Sequence, residues 1–312
     1  MVTNVFIAFT QAQVVHAVNV ITTQRLQNVV IISRYQCDEY NEFFEHVFIL
    51  DGPIYRLLFK WLKVKNYLKS IGKVNLFIAH SLNVFSQGVF HELLDNNFLN
   101  TLNVFPDGNL LFNDFTVNKY CKDNLVKKLA SYVIGAKYRL FSGSVISPFV
   151  DIDTVHSYID GVTCKYRALK YIDVTPVTKN IGTGVLILGH RNQQVISADS
   201  LIEVVKRNIT EGPIYYKPHP RLAIENDLFY QILNVSFKGK VSLIDNKSPI
   251  EVIIQDFPIQ SVFAVASSSL VTLKILIPEV NVCYFGLQRY LGKHYNPQMK
   301  IQFDRMGLIE WN

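Results

Sequence analysis

Short runs of Val, Ile and Phe alternate along this chain with stretches whose apolar residues recur at helical spacing, the signature of a parallel sheet with crossover helices. Thr3–Phe9 predicts a first buried strand. Gln11–Thr23 follows as a helix, because Val14, Val15, Ala17, Val18 and Ile21 fall three or four positions apart. Further strands are predicted at Val29–Ser33, Val47–Leu50, Val74–Ala79 and Leu102–Phe105, and helices at Pro53–Ser70, Val84–Leu94 and Val117–Gly135. A less regular stretch, Phe141–Gly182, carries turn signals of the Ser-Pro, Asp-rich and Thr-Pro kind. The rhythm then restarts with a strand at Gly184–Leu188, a helix at Ala198–Asn208 and a strand at Pro213–Tyr216. It continues through Leu222–Leu233, Val241–Ile244, Pro249–Gln255, Ser261–Val265, Leu270–Ile277 and Val280–Phe285. The expected fold class is α/β, with two Rossmann-like domains, 1–155 and 156–312, facing across a cleft, the last segment packing back on the first domain. Ligands of such sheets collect at the carboxyl ends of the strands.

Composition supports large cores: of 312 residues, 49% are apolar and 18% charged. Cys37, Cys121, Cys164 and Cys283 stand far apart with no CxxC pair, which argues against a zinc ribbon and a disulfide framework. The opening MVTNVFIAFTQAQ lacks a basic segment followed by a continuous apolar run, so it does not read as a signal peptide. No run approaches the ~18 apolar residues of a membrane span. A cytoplasmic protein is expected. A net charge of +6 suits nucleic acid, anionic membrane and phosphorylated ligands equally.

Three polar clusters each follow a predicted strand. In Phe105-Pro106-Asp107-Gly108, the acid before glycine makes a turn, and a carboxylate there can also take a proton from a hydroxyl. In Tyr215-Tyr216-Lys217-Pro218-His219-Pro220, two prolines stiffen the loop around the histidine. A rigid imidazole beside Lys217 suits a phosphate at fixed geometry; a solvated loop is the plainer reading. In Ala266-Ser267-Ser268-Ser269-Leu270, serines opening a helix are first of all caps, and beside free N–H groups they also form an anion site. Ser248-Pro249-Ile250-Glu251 places a proline at a helix start and Glu251 near its positive end, where it stabilises the dipole or accepts from ribose hydroxyls.

Together these residues resemble the bacterial two-domain sialyltransferases of GT-B type, nearest to the lipooligosaccharide, capsule or O-antigen group (glycosyltransferase family 52 and its neighbours). Asp107-Gly108 matches the end of that family's acid–acid–Gly motif, His219-Pro220 its HP motif, and Ser268-Ser269 its Ser/Thr pair. Pro249–Glu251 looks like the helix start whose Glu holds the cytidine ribose. Thr10-Gln11-Ala12-Gln13 looks like the first loop, and Gly189-His190-Arg191 occupies a loop near the nucleotide. Pro106 stands where the family has its first acid, and Gln11 where the first loop has its proline.

The resemblance implies an inverting displacement at the anomeric carbon of CMP-sialic acid, with no metal and no cofactor. Asp107 would act as base and His219 would meet the departing phosphate. Ser267, Ser268, Ser269 and Lys217 would hold the phosphate; Glu251, Gly189, Pro218 and Pro220 would line the ribose and cytidine side. Thr10, Gln11, Gln13 and Gly108 would form the acceptor and donor loop. The acceptor would be a terminal sugar of a bacterial surface glycan, probed against CMP-Kdo, UDP-sugar and GDP-sugar transfer as enzyme alternatives and nucleic-acid binding as the non-enzyme one. Against the last, no RNA- or DNA-binding module is recognisable.

Two further segments complete the reading. Asp151-Ile152-Asp153 spells DxD but is taken as a solvated turn. Residues 56–69 carry five cations among Leu, Phe, Trp and Tyr. Such a helix packs as an ordinary crossover, basic side outward, or lies on an anionic membrane, which would make the protein peripheral at the inner face and suit a lipid-linked glycan acceptor.

Overall fold

A computed structural model of the chain describes residues 2–36, 38–147, 151–174, 181–191, 193, 196–208, 212–246, 248–265, 267–292 and 295–311. Cys37 and Ala266, named above, lie outside the described residues. The chain divides into two compact units, Met1–Asp173 and Val174–Asn312.

The first unit runs β1 (Thr3–Ala8), α1 (Gln11–Gln24), β2 (Val29–Ser33), β3 (His46–Ile49), α2 (Ile54–Ser70), β4 (Val74–Ile78), α3 (Val84–Asp95) and β5 (Leu99–Val104). A small antiparallel pair, β6 (Thr116–Val117) and β7 (Gly143–Ser144), brackets α4 (Lys122–Ile134). β8 (Ile152–Ser157) and β9 (Tyr166–Tyr171) then complete a seven-stranded sheet of order β3-β2-β1-β4-β5-β8-β9, parallel throughout. β1, β2 and β4 are apolar at nearly every position because helices cover both faces of the sheet. At its centre Phe6 stacks on Phe77 with centroids 4.2 Å apart, and Phe105 closes against Phe6 at 5.7 Å.

The second unit runs β10 (Ile181–Leu188), α5 (Ala198–Asn208), β11 (Ile214–Lys217), α6 (Leu228–Ser236), β12 (Val241–Leu243), α7 (Ile250–Ile253), β13 (Ile259–Val265), α8 (Ser269–Leu276), β14 (Asn281–Phe285), α9 (Leu287–Leu291), α10 (Pro297–Arg305) and β15 (Ile309–Trp311). Its six parallel strands are ordered β12-β11-β10-β13-β14-β15. Val185, Ile187, Tyr216, Phe263 and Phe285 from the sheet pack with Leu201, Val205, Phe229 and Leu233 from α5 and α6.

Both sheets therefore start in the middle, grow outward one way and reverse, between β1 and β4 and between β10 and β13. At such a switch point the flanking loops part and leave room for a ligand. The boundary between the units falls later than the expected 155/156, which would have cut through β8. β8 and β9 belong to the first sheet, and the DxD segment is their anchor, not a solvated turn. Asp153 accepts from the Leu102 amide at 2.8 Å and from Arg167 at 3.1 Å, while Asp151 lies 3.8 Å from Arg167. The last strand, β15, is the edge strand of the second sheet. Cys121, Cys164 and Cys283 are free thiols. Among the described residues, no helix is long and apolar enough to cross a membrane, and no cluster of three or more His, Cys, Asp or Glu could hold a metal ion.

Candidate functional site

The first unit gathers its polar groups where β1, β4 and β5 end. Thr10 leaves β1 and caps α1, its hydroxyl accepting from the Gln13 amide at 3.1 Å. That turn drives Gln13 inward, where it is buried and serves two strand ends at once. Gln13 Oε1 accepts from the Phe9 amide at 2.6 Å, and Gln13 Nε2 donates to Asp107 Oδ1 at 2.8 Å. Gln11 is the first residue of α1. Asp107 itself follows β5 and stays about a quarter exposed. Gly108 after it has φ of 61°, a left-handed turn in which a side chain would be strained, so the acid–Gly pair aims the carboxylate by turning the backbone sharply.

The second oxygen of Asp107 faces a residue the sequence reading missed. His80, just past the end of β4, places Nε2 3.7 Å from Asp107 Oδ2. Its Nδ1 accepts from the Leu82 amide at 3.2 Å, so in the neutral ring the proton sits on Nε2, toward the carboxylate. Behind them, His16 of α1 is buried and held neutral: burial pushes its pKa down to about 4, partly opposed by the Asp107 charge. His16 Nδ1 meets Tyr158 Oη at 2.6 Å, and Asn19 donates to that same oxygen at 3.0 Å. Neither histidine carries a sequence signal. A lone His after a strand, or mid-helix, acquires meaning only when β1, β4 and β5 are known to be neighbours.

The second unit gathers its groups where β10, β11 and β13 end. Gly189, just beyond β10, donates its amide to the Lys217 carbonyl at 2.7 Å. A Cβ there would lie 2.6 Å from Tyr216 Oη and 2.8 Å from the His219 amide nitrogen, so only glycine allows the two loops to touch. His219 sits between Pro218 and Pro220, half-buried, with Nδ1 accepting from the Arg221 amide at 3.1 Å. The neutral ring therefore presents an Nε2 proton outward. Burial lowers its pKa, as do His190, Arg221 and Arg191 nearby; Asp227 opposes them. The His190 ring lies 6.4 Å away, edge-on.

Lys217 is buried and donates to the Asn246 carbonyl at 2.5 Å; burial lowers its pKa while Glu251 and Asp245 pull it up. Glu251, in the first turn of α7, is driven upward by burial; its hydrogen bond to the Ser269 hydroxyl and the charge of Lys217 resist that. Ser269 is thus tied to Glu251. Ser267 Oγ accepts from the Ser269 amide at 3.3 Å, doing the capping at the start of α8, whereas Ser268 makes no capping bond of its own. The three serines are therefore not equivalent: Ser269 bonds Glu251, Ser267 caps the helix and Ser268 does neither. Beneath them, Tyr216 donates to the buried Asp227 carboxylate at 2.7 Å, which caps α6 by accepting from the Tyr230 amide. This fixes the end of β11 from which His219 projects.

Asp107 thus follows β5 in the first unit, while Lys217 and His219 follow β11 and the serines follow β13 in the second. The model of the family described as Alpha-2,8-polysialyltransferase (POLYST) matches residues 4–284, which covers both groups of residues. The chain belongs to this family. It is accordingly a glycosyltransferase, and a sialyltransferase, working with a nucleotide-sugar donor and a glycan acceptor.

Among solved structures, this sialyltransferase is similar to the α/β-galactoside α-2,3-sialyltransferase of Photobacterium phosphoreum, with a TM-score of 0.55 and 11% identity over 99% of this chain and 98% of that one. It is similar to the GT-B domain of a Photobacterium damselae sialyltransferase at a TM-score of 0.50 and 13% identity, both chains being covered completely, 100% and 100%. A UDP-GlcNAc 2-epimerase of Methanocaldococcus jannaschii reaches 0.51 at 9% identity, over 98% and 93%. At such identities the likeness establishes the GT-B fold alone; the epimerase shares it with a different chemistry. No curated protein matches the chain.

Proposed function

We propose that this sialyltransferase transfers sialic acid from CMP-sialic acid, with inversion and without a metal ion, to a terminal sugar hydroxyl of a bacterial surface glycan. Lipooligosaccharide, O-antigen and capsule are the acceptor class, and the family name favours the 8-hydroxyl of a sialic acid already in place. The acceptor is taken to be lipid-linked and the enzyme to work at the inner membrane face. The observation that carries this reading is the Asp107 carboxylate, fixed by Gln13 through one oxygen, with His80 beside the other.

In the proposed reaction the acceptor oxygen bonds to the anomeric carbon as that carbon's bond to the CMP phosphate breaks. Asp107 takes the acceptor proton. His219 gives its Nε2 proton, or a hydrogen bond from it, to the leaving phosphate. Ser268, the Ser267 hydroxyl and α8 amides hold the phosphate oxygens, Lys217 supplying positive charge from behind. Glu251, fixed by Ser269, takes the ribose hydroxyls, with Gly189, Pro218 and Pro220 alongside. CMP carries one phosphate, a charge that a cationic, hydrogen-bonding site neutralises; a chelator is therefore expected to leave turnover unchanged.

The test is transfer from CMP-sialic acid to a short sialylated glycan, with the product linkage read by NMR. Asp107→Ala is expected to lower turnover by about 10² to 10⁴ while CMP affinity stays within about threefold. Full activity of Asp107→Ala would reject it as the base, and transfer from CMP-Kdo in preference to CMP-sialic acid would reject the donor.

A further inference from the structure

Helix α4 is built inside out for a helix facing water. Its inner side carries Asn124, Ser131 and Ile134, all buried. Asn124 donates to the Phe141 carbonyl at 2.6 Å and accepts from the Tyr138 hydroxyl at 2.9 Å; Ser131 donates to the Lys128 carbonyl at 2.7 Å. Its outer side carries Leu125, Val126, Leu129, Tyr132 and Val133, which recur three, four and seven positions apart and so form one stripe. Leu129 is 69% exposed and Tyr132 86%. Five large apolar side chains left in water forgo the main driving force of folding, and a contiguous patch of this kind marks a surface with an occupant.

Helix α2 repeats the arrangement over its first half. Trp61, Val64 and Leu68 face the core, Trp61 resting on Phe85 of α3 at 5.6 Å. Tyr55, Phe59 and Leu62 face outward, Phe59 being 69% exposed. The two helices pack against each other and both pack on α3.

Charge identifies the occupant. Residues 54–70 contain five cations and no acid, and residues 116–140 contain six cations and one acid, Asp123. Some are committed within the fold: Lys60 pairs with Asp51, Lys65 with Glu92 at 3.2 Å, and Lys137 with Asp95. Lys63 and Lys122 lie on the outer sides, and Lys119 stands over the Tyr120 ring at 4.8 Å. A second copy of the chain would set cations against cations. An RNA would offer the aliphatic side chains nothing to bury against. An anionic bilayer surface satisfies both features, since long cationic side chains reach the headgroups while the apolar stripe enters the interfacial layer.

We propose that the outer faces of α4 and α2 dock this sialyltransferase on an anionic phospholipid surface, with Leu125, Leu129, Tyr132 and Phe59 entering the interface and Lys63, Lys119 and Lys122 facing the headgroups. This deepens the reading of a lipid-linked acceptor and rests on it for its purpose, and it adds α4 to a segment for which the sequence suggested α2 alone.

The experiment is co-sedimentation of the full chain with phosphatidylcholine vesicles, with and without phosphatidylglycerol, alongside transfer to a soluble acceptor. The protein is expected to bind the anionic vesicles and to be released by salt. Leu129→Asp/Tyr132→Asp is expected to weaken that binding at least about tenfold with transfer to the soluble acceptor intact. Both sites are exposed, and an unchanged melting temperature checks the fold. Lys63→Glu/Lys122→Glu is expected to weaken binding by about tenfold and to flatten its salt dependence. Equal binding to both vesicles, no binding, or wild-type binding by the Leu129→Asp/Tyr132→Asp variant overturns the proposal. So does a dimer in solution that this variant dissociates, or capture of RNA in place of vesicles. Vesicle binding without sialyl transfer would sink the proposed function and leave the docking surface standing.

Discussion

At the scale of single residues, the proposed chemistry rests on how few positions Asp107 is allowed. Gln13 holds one carboxylate oxygen and His80 faces the other, so either substitution leaves the acid present but less well aimed. His80→Asn and Gln13→Leu are each expected to lower kcat by about 10- to 100-fold with little change in the KM for donor, since both act on the carboxylate proposed to serve the acceptor. Steady-state kinetics on both substrates checks this, and a rise in donor KM with unchanged kcat would count against a role in positioning. His219 supplies a prediction of a different kind. Its pKa is lowered in the free protein, and a bound phosphate would raise it, so binding takes up a proton between the two values. Affinity for CMP-sialic acid, whose phosphodiester does not titrate near neutrality, should be strongest below the lowered value and fall as pH rises through the raised one. His219→Asn should flatten that dependence in calorimetric titrations.

At the scale of elements, the chain's pattern was easiest to read where strands are covered on both faces. The apolar runs of β1, β2 and β4 and the periodicity of α1, α3 and α5 correspond closely to the structure. It was hardest to read at edges. β9, Tyr166–Tyr171, is mostly exposed and offers no apolar run, while the two acids at the start of β8, Asp151 before it and Asp153 within it, look like a turn until the Leu102 amide and Arg167 are seen to donate to Asp153. The helix expected at Val117–Gly135 starts at Lys122, because Thr116–Val117 pairs with Gly143–Ser144 instead. The helix expected from Leu222 starts at Leu228, where Asp227 caps it. Of the candidate residues, Asp107, His219 and the serines were legible as short motifs, whereas His80, His16 and Tyr158 come together only through the strand order. The contact between the β10 and β11 loops gives the prediction at this scale. Gly189→Ala forces a methyl group against Tyr216 and the His219 amide, and should cost about 1–3 kcal/mol in stability and more in CMP affinity. Thermal melts with and without CMP would reveal it; an unperturbed protein would mean that the loops have room to part.

At the scale of the whole molecule, acid sensitivity is built into the first unit. His16 is buried with a pKa of about 4 against an ordinary 6.5, so the unfolded chain binds a proton there that the native state refuses. For a group depressed in this way, the stability it contributes is complete above about pH 6.5 and is lost as pH falls toward 4. The loss amounts to about 3 kcal/mol at most for this one residue. The melting temperature should therefore drop across that window, and His16→Gln should shallow the drop; an identical pH profile in the variant would contradict it. Each of the two units, finally, is one uninterrupted run of chain with its own finished sheet, the second closed by β15. Such halves behave as cassettes. A chimera joined after Asp173 would carry Asp107, Gln13 and His80 across together, since all three belong to the first unit.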